Sequence, residues 1–280
     1  MLPVEQLRDL CRQVEGTCGI YVSVPETGEK FCLNEDFQVY AASTIKIPVL
    51  CKLFRDMEQG RVELSQTMVV SRENRVGGSG ILQSLRPELE MSIFDLANLM
   101  MVMSDNIATN QIIDIVGMDR VREFCKEEGL HNTWIWQKMI HKGPPPADMP
   151  EGLIPNATTA ADLGVLMERI AAETIAAPAS CRKIMQIMAG QRLGRLQVLL
   201  PTVERLNPYE EQLRPPAEGR IVVASKGGSK EAEGAVHDTG IFMLPDGRKY
   251  VMAVCSKTTN KTKTIQLIQQ MGLVMYEAMK

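Results

Sequence analysis

Strand-like sequence lies at both ends of this 280-residue chain, and helical sequence fills the middle. Segments with the β-branched and aromatic content of strands, bounded by turn residues, are residues 17–24, 30–33, 220–225, 239–244 and 250–255. A final amphipathic helix is predicted over 261–279. No linker-like change of composition separates the two groups from the helical sequence between them. The chain is therefore predicted to build one sheet from both termini, with helices inserted between them.

This arrangement predicts an α/β (α+β) fold in a single domain spanning residues 1–280. Residues 1–40 and 220–280 form the sheet and the terminal helices, and residues 41–219 form a mainly helical subdomain. The sequence has no internal repeat and no linker-like change of composition. The polar, proline-containing segment 201–219 is predicted to be a surface insertion.

The charge and composition of the chain limit the classes of partner that it can bind. There are 31 Lys and Arg residues against 34 Asp and Glu residues, a net charge of −3, which favours neither nucleic acid nor an anionic membrane. The longest apolar stretch, 96–103, is too short to span a bilayer. We expect a monomer that binds a small-molecule or peptide substrate.

Cysteine and histidine usage bears on metal binding and compartment. The seven cysteines are odd in number and form no CxxC pair, and the three histidines do not cluster with them. This pattern predicts no metal site, and it favours reduced thiols. No cofactor is expected for the chemistry inferred below. The first ten residues lack the basic start and apolar run of a secretory signal, which predicts a cytoplasmic protein. The alternative is a periplasmic or secreted protein whose signal has been removed.

A Ser-x-x-Lys pattern, Ser43 to Lys46, lies where a loop gives way to an apolar helix predicted over 45–57. Residues three apart share a face of a helix, so the serine and the lysine lie close together. A serine needs a neighbouring base to become a nucleophile, and a lysine can serve if burial and nearby cations keep it neutral. The pattern alone is weak, because Ser180 and Lys183 repeat it; Ser180 is interpreted as a helix cap.

Ser104, Asp105 and Asn106 lie in a predicted turn between two apolar helices, 91–103 and 107–116. Short polar side chains in such a turn can point into a cleft. A serine hydroxyl there can pass a proton to a leaving group, and an amide can hold a substrate carbonyl. Asp105 is expected to cap the following helix.

A third motif, Lys226, Gly227, Gly228 and Ser229, follows the predicted strand 220–225. Glycines allow a substrate backbone to approach a strand edge closely. The lysine raises the local potential and would help to keep Lys46 neutral. The alternative is a glycine-rich turn with a surface lysine.

These three motifs, in this order, resemble the Ser-x-x-Lys, Ser-Asp-Asn and Lys-Thr-Gly signature of class A β-lactamases and penicillin-binding proteins. The segments 78–82, 104–110, 156–159 and 240–242 are also similar to that family. The resemblance implies a β-lactamase-like fold: a five-stranded antiparallel sheet packed with terminal helices, plus an inserted all-helical subdomain. The active site would lie between the two parts.

The resemblance also implies a role for each motif residue. Ser43 would be the acylated nucleophile and Lys46 the base that takes its proton. Ser104 would carry a proton to the leaving nitrogen, and Lys226 would set the electrostatics.

Substrate binding follows from the same resemblance. Asn106 would bind the substrate amide carbonyl, and Gly228 would let the substrate approach the strand. The backbone N–H groups of Ser43 and Ser229 would form the oxyanion hole.

Two departures from the family pattern matter. Gly227 stands where the family has threonine or serine, so Ser225, Ser229 or Lys230 would have to replace the missing hydroxyl. The Glu-x-x-x-Asn that activates the deacylating water in class A β-lactamases does not occur in the matching stretch, 142–155. Glu151 is the candidate deacylation base, ahead of Asp148 and His141.

The leading hypothesis is a serine hydrolase that forms an acyl-enzyme on Ser43 with β-lactam, amide, peptide or ester substrates and deacylates slowly. One alternative is a true class A-type β-lactamase that hydrolyses β-lactams. The alternative from another class is a non-catalytic binding or sensor protein with the same fold.

Overall fold

A computed structural model describes residues 1–210 and 213–280. Within these residues, the strands are β1 Gly16–Val24, β2 Glu29–Leu33, β3 Val39–Tyr40, β4 Thr67–Val69, β5 Glu90–Ser92, β6 Trp134–Ile135, β7 Asn156–Thr158, β8 Val203–Glu204, β9 Ile221–Lys230, β10 Ala235–Met243 and β11 Lys249–Thr258. The α-helices are α1 Val4–Arg12, α2 Lys46–Glu58, α3 Ile93–Val102, α4 Asn106–Val116, α5 Met118–Glu127, α6 Ala160–Ala171, α7 Pro178–Ala189 and α8 Lys261–Met279.

The main sheet joins the two ends of the chain. Its strand order is β2-β1-β11-β10-β9-β8, and the first five strands pair antiparallel. The N-terminal strand β1 pairs with β11 in a register that sets Ile20 opposite Val254. The predicted fold, with five antiparallel strands contributed by both termini, is therefore confirmed.

The sheet also has a sixth strand that the sequence did not indicate. The two-residue strand β8 pairs in parallel with the start of β9, with Val203 opposite Ile221. It comes from the segment 201–219, which the sequence predicted only as a surface insertion. Positions 211–212 of that segment lie outside the described residues.

Apolar residues cover both faces of the sheet. Successive side chains of a strand point to opposite faces, so β1 serves two cores. Ile20 packs in one buried cluster with Leu7 of α1 and Met271 of α8. Tyr21 packs in the other, which contains Leu50 of α2 and the inward faces of the inserted helices. The single-domain organisation over residues 1–280 stays a prediction. No helix in residues 1–210 and 213–280 is long and apolar enough to cross a membrane.

Two local predictions were wrong. Residues Lys226 to Ser229 do not follow a strand but lie inside β9, because β10 pairs with them along their length and offsets the low strand propensity of glycine. Ser180 is not a helix cap: α7 begins two residues before it, at Pro178, whose fixed φ suits the first turn of a helix.

Candidate active site

Ser43 lies in a 3₁₀ turn, Ala42–Ile45, that leads directly into α2. Lys46 is the first residue of that helix, so the serine and the lysine are one turn apart. Ala42 has a left-handed backbone, with φ of 48°. A non-glycine residue there costs about 1–3 kcal/mol and persists only where surrounding contacts hold it. The strain lies directly before the predicted nucleophile.

Ser104 lies in the sharp turn between α3 and α4, also with a left-handed backbone, at φ 53°. Asp105 caps α4, because its Oδ1 accepts hydrogen bonds from the N–H groups of Ile107 and Ala108. Its Oδ2 accepts two more from residues 81 and 82. The predicted structural role of Asp105 is confirmed, and the same carboxylate ties the 78–82 loop to the second motif.

The third motif lies along the edge of β9, against the first. A side chain at Gly228 would place its Cβ 2.7 Å from the backbone nitrogen of Ser43. Only a glycine allows the strand to come this close to the 3₁₀ turn. The sheet and the helical region therefore meet at Gly228 and Ser43.

Lys46 is completely buried at the centre of the site. Its Nζ lies 2.7 Å from the Ser104 backbone oxygen, 3.1 Å from Ser104 Oγ and 3.0 Å from Asn106 Oδ1. Burial, reinforced by the charge of Lys226, holds the pKa of Lys46 well below its usual value. The structure therefore favours the neutral amine that a general base requires.

Lys226, on β9, reaches the same hydroxyl from the opposite side. Its Nζ lies 3.0 Å from Ser104 Oγ, and it also donates to the backbone oxygen of Gly227. Burial lowers the pKa of Lys226 to about 7, with the Asp238 carboxylate opposing this shift and the Arg195 guanidinium adding to it. The structure thus brings Lys46, Ser104, Asn106 and Lys226 into one hydrogen-bonded cluster.

A cavity of about 310 Å³ opens over this cluster. The residues that line it are Tyr40, Ala42, Ser43, Gly78, Ser79, Asn106, Gln137, Lys138, Met139, Ile140, His141, Ser229 and Lys230. Three predicted site residues, Ser43, Asn106 and Ser229, thus face one space. Gly78 and Ser79, from the segment 78–82, line the cavity as well.

The structure does not bring Glu151 to this cavity. Glu151 is exposed on the proline-rich loop, and so is Asp148. Ile140 and His141, directly before this loop, line the cavity instead. Among the described residues, no carboxylate lines the cavity.

Arg195 is a residue that sequence reasoning missed. Its Nη1 lies 2.7 Å from the position that a Cβ on Gly227 would occupy, so the guanidinium lies close to the space of the missing side chain. The side chain donates to the backbone oxygen of His237, and its backbone N–H donates to the buried carboxylate of Asp238. Ser225, a candidate for replacing the lost hydroxyl, is completely buried and is not part of the cavity lining. The sequence contains one indirect signal for Arg195: the hydroxyl missing at Gly227 indicated that another residue must supply a polar group at that position.

Comparisons with known proteins agree with this geometry. A model of the beta-lactamase enzyme family matches residues 3–279. The extended-spectrum beta-lactamase PER-1 of Pseudomonas aeruginosa is 22% identical over 284 residues, which cover 98% of this chain and 86% of that protein.

Two solved structures share the fold at higher identity. A beta-lactamase from Sphaerobacter thermophilus superimposes with a TM-score of 0.81 and 28% identity, over 98% of this chain and 95% of that one. A mutant of PBP-A, in an acyl-enzyme complex with penicillin G, gives a TM-score of 0.78 and 27% identity, over 98% and 94% of the two chains.

Proposed function

The chain belongs to the beta-lactamase enzyme family and is a serine hydrolase, and from that premise we propose that it forms a covalent acyl-enzyme on Ser43 and releases the acyl group slowly. The proposed substrates are β-lactams and related amides, peptides or esters. The observation that carries the proposal is the buried cluster of Lys46, Ser104 and Lys226 beside a cavity lined by Ser43. Family membership favours this enzyme over a non-catalytic binding protein of the same fold.

Acylation begins with loss of the Ser43 proton. Lys46 is the proposed base, because burial and the neighbouring Lys226 lower its pKa. A neutral amine has a lone pair that can take the proton from a serine one turn away. The Ser43 oxygen then attacks the substrate carbonyl, and its bond to carbon forms as the carbonyl π bond breaks.

The leaving nitrogen needs a proton when the amide bond breaks. Ser104 is the proposed donor, because Lys46 Nζ and Lys226 Nζ both lie within hydrogen-bond distance of its Oγ. A hydroxyl that accepts from an amine still has its own hydrogen to donate. The proton taken from Ser43 can therefore pass from Lys46 through Ser104 to the leaving group.

Developing charge on the substrate oxygen needs donors that are already in place. The backbone N–H groups of Ser43 and Ser229 are the proposed oxyanion hole, and the close contact of Gly228 with the Ser43 nitrogen supports their proximity. One such donor is worth about 10²–10³ in rate. Asn106, which lines the cavity, is proposed to hold the substrate amide carbonyl.

A substrate carboxylate would meet positive charge along β9. With threonine or serine absent at Gly227, the proposed partners are Ser229 and Lys230, which line the cavity. Arg195 adds positive potential close to the space of the missing side chain.

Slow release is proposed because hydrolysis of the acyl-enzyme needs a second base. A carboxylate that activates water must lie within hydrogen-bond reach of the reacting centre. The cavity presents Ile140 and His141 on that side, and Glu151 is exposed on the loop beyond them. The alternative of rapid β-lactam hydrolysis would need such a carboxylate at the cavity, and none of the described residues that line it is one; His141, the third candidate, does line it.

Compartment and assembly are part of the proposal. We propose a reducing compartment, the cytoplasm, because all seven cysteines are free thiols and six of them are buried. The proposed site residues all come from one chain, which is consistent with a monomer.

Labelling with a fluorescent penicillin tests the function. The wild-type chain should be labelled at one site, and Ser43→Ala should abolish labelling. Ser180→Ala is the matched control, because Ser180 begins the other Ser-x-x-Lys of the sequence and lies within α7. Labelling that survives in Ser43→Ala, or that is lost in a folded Ser180→Ala, contradicts the proposal.

A further inference from the structure

His237, on β10, is completely buried, and both of its ring nitrogens have partners. Nδ1 lies 3.1 Å from the backbone N–H of Ser256, and Nε2 lies 2.8 Å from the backbone oxygen of Tyr40. A carbonyl oxygen can only accept, so the ring hydrogen is on Nε2, while Nδ1 accepts from Ser256. Burial lowers the pKa of His237 to about 4, which keeps this neutral tautomer at physiological pH.

One end of the imidazole is fixed to the sheet. The β10–β11 register continues from Ala235 opposite Lys257 to Asp238 opposite Val254. Between these pairs, the Ser256 N–H donates to the imidazole and the Ser256 hydroxyl donates to the backbone oxygen of Val236, at 2.6 Å. Side chains therefore supply hydrogen bonds within this stretch of the ladder, and they fix the orientation of the ring.

The other end of the imidazole reaches the segment that carries Ser43. His237 is the cross-strand partner of Gly228, so their side-chain positions share one face of the sheet. On that face, Gly228 packs so closely against the Ser43 turn that a Cβ there would lie 2.7 Å from the Ser43 nitrogen, and His237 Nε2 donates to the backbone oxygen of Tyr40, three residues earlier. The Tyr40–Ser43 segment is thus packed against Gly228 at one end and hydrogen-bonded to His237 at the other.

That segment needs to be held, because Ala42 has a strained left-handed backbone. β7 supports it from one side, where the Ala41 N–H donates to the Asn156 oxygen at 2.8 Å. His237 supports it from the sheet side through Tyr40. Strained residues keep their conformation only when several independent contacts fix their neighbours.

We propose that His237 is a positioning residue for acylation, whose Nε2–H holds the Tyr40 carbonyl and thereby fixes the Ala42–Ser43 turn against Gly228. The inference depends on the proposed role of Ser43. His237 acts through Tyr40 and does not contact the reacting atoms. A small displacement of a nucleophile is enough to slow a reaction strongly, because attack requires close alignment.

Two near-isosteric variants separate the two hydrogen bonds. In His237→Asn, the amide oxygen lies near the position of Nδ1 and keeps the Ser256 contact, but the side chain is too short to reach Tyr40. In His237→Gln, the amide nitrogen lies near the position of Nε2 and keeps the Tyr40 contact. Asn should lower the maximal acylation rate of folded protein by fluorescent penicillin about tenfold, with little change in penicillin affinity, and Gln should stay within about threefold of wild type.

Thermal unfolding, measured in parallel, separates positioning from stability. The proposal is overturned if the Asn variant acylates at the wild-type rate, if Gln is impaired as much as Asn, or if both lose labelling only in proportion to unfolded protein.

Hydrogen exchange tests the same contact without chemistry. The Ala41 amide should exchange about tenfold faster in the Asn variant, and at close to the wild-type rate in the Gln variant, at conditions where all three proteins are folded. Wild-type protein that takes no label contradicts the proposed function; the exchange rates then decide the positioning role independently. Equal exchange in the three proteins overturns it.

Discussion

The acylation cluster and the proline-rich loop are built very differently. In the cluster, Lys46 and Lys226 are completely buried and both lie within hydrogen-bond distance of Ser104 Oγ. The loop, residues 143–155, contains five prolines and is largely exposed. The carboxylates of the loop lie at the surface, and Ile140, which precedes the loop, lines the cavity with an apolar side chain.

This difference separates the two halves of an acyl-transfer reaction. Forming the acyl-enzyme requires a neutral lysine, a proton carrier and oxyanion donors, and these are proposed on rigid elements, α2, the α3–α4 turn and β9. Releasing it requires a positioned base for water. The residues that form the acyl-enzyme can therefore be present without a base that releases it, and the following substitutions test that separation.

Replacing the proposed base should have the largest effect. Lys46→Met keeps the length and apolar stem of the side chain but removes the lone pair, so acylation by penicillin should slow by about 10²–10⁴-fold. Lys183→Met, in the second Ser-x-x-Lys of the sequence, is the matched control and should acylate normally. Stopped-flow or intact-mass kinetics measure both rates. A Lys46→Met acylation rate within threefold of wild type would show that Lys46 is not the base.

Adding a carboxylate to the cavity should supply the base that deacylation needs. Ile140 is 44% exposed, lines the cavity and has a φ of 56°, a conformation that strains a β-branched residue. Ile140→Glu should speed loss of the acyl adduct about tenfold to a hundredfold, because a positioned base activates water. Ile140→Gln matches its size without its charge and should leave the adduct lifetime unchanged. Decay of the adduct mass with time measures this; equal lifetimes in the two variants would contradict the account.

The coupling between the two lysines should appear in the pH profile of acylation. Lys46 is a base only when deprotonated, so acylation rises with pH through the pKa of Lys46. The charge of Lys226 lowers that pKa. Lys226→Met should therefore move the acid limb of the acylation profile to higher pH. Lys230→Met, which removes a charge at the cavity rim, should leave the limb in place. A limb that stays fixed or moves to lower pH in Lys226→Met would show that this coupling is absent.

The smallest effect on the lifetime of the acyl adduct is expected from replacing Glu151. Because this side chain is exposed on the loop and is not part of the cavity lining, Glu151→Gln should change the adduct lifetime by less than about twofold. Adduct decay followed by mass spectrometry is the measurement. A strong lengthening of the lifetime would make Glu151 the deacylation base after all.

The sequence predicted much of this fold because its signals are local. Segments rich in β-branched and aromatic residues and bounded by turn residues identified the five antiparallel strands, and three short motifs identified the polar cluster. Asp105 was correctly expected to cap a helix, because its position before the apolar run of α4 determines that role.

Features that depend on distant contacts could not be predicted. Gly227 and Gly228 have low strand propensity, and only pairing with β10 makes them part of β9. Arg195 is more than thirty residues from Gly227 along the chain, and only the fold brings its guanidinium beside that glycine. His237 has no motif around it, and its role follows from a bond to Tyr40, almost two hundred residues away.

The most direct test of the central claim is one time course with a chromogenic cephalosporin, followed by absorbance and by intact mass on the same sample. The account predicts a rapid burst of about one equivalent of product per chain, a covalent adduct on Ser43, and a much slower steady phase. Linear turnover from the first seconds, with no burst and no accumulated adduct, would contradict it.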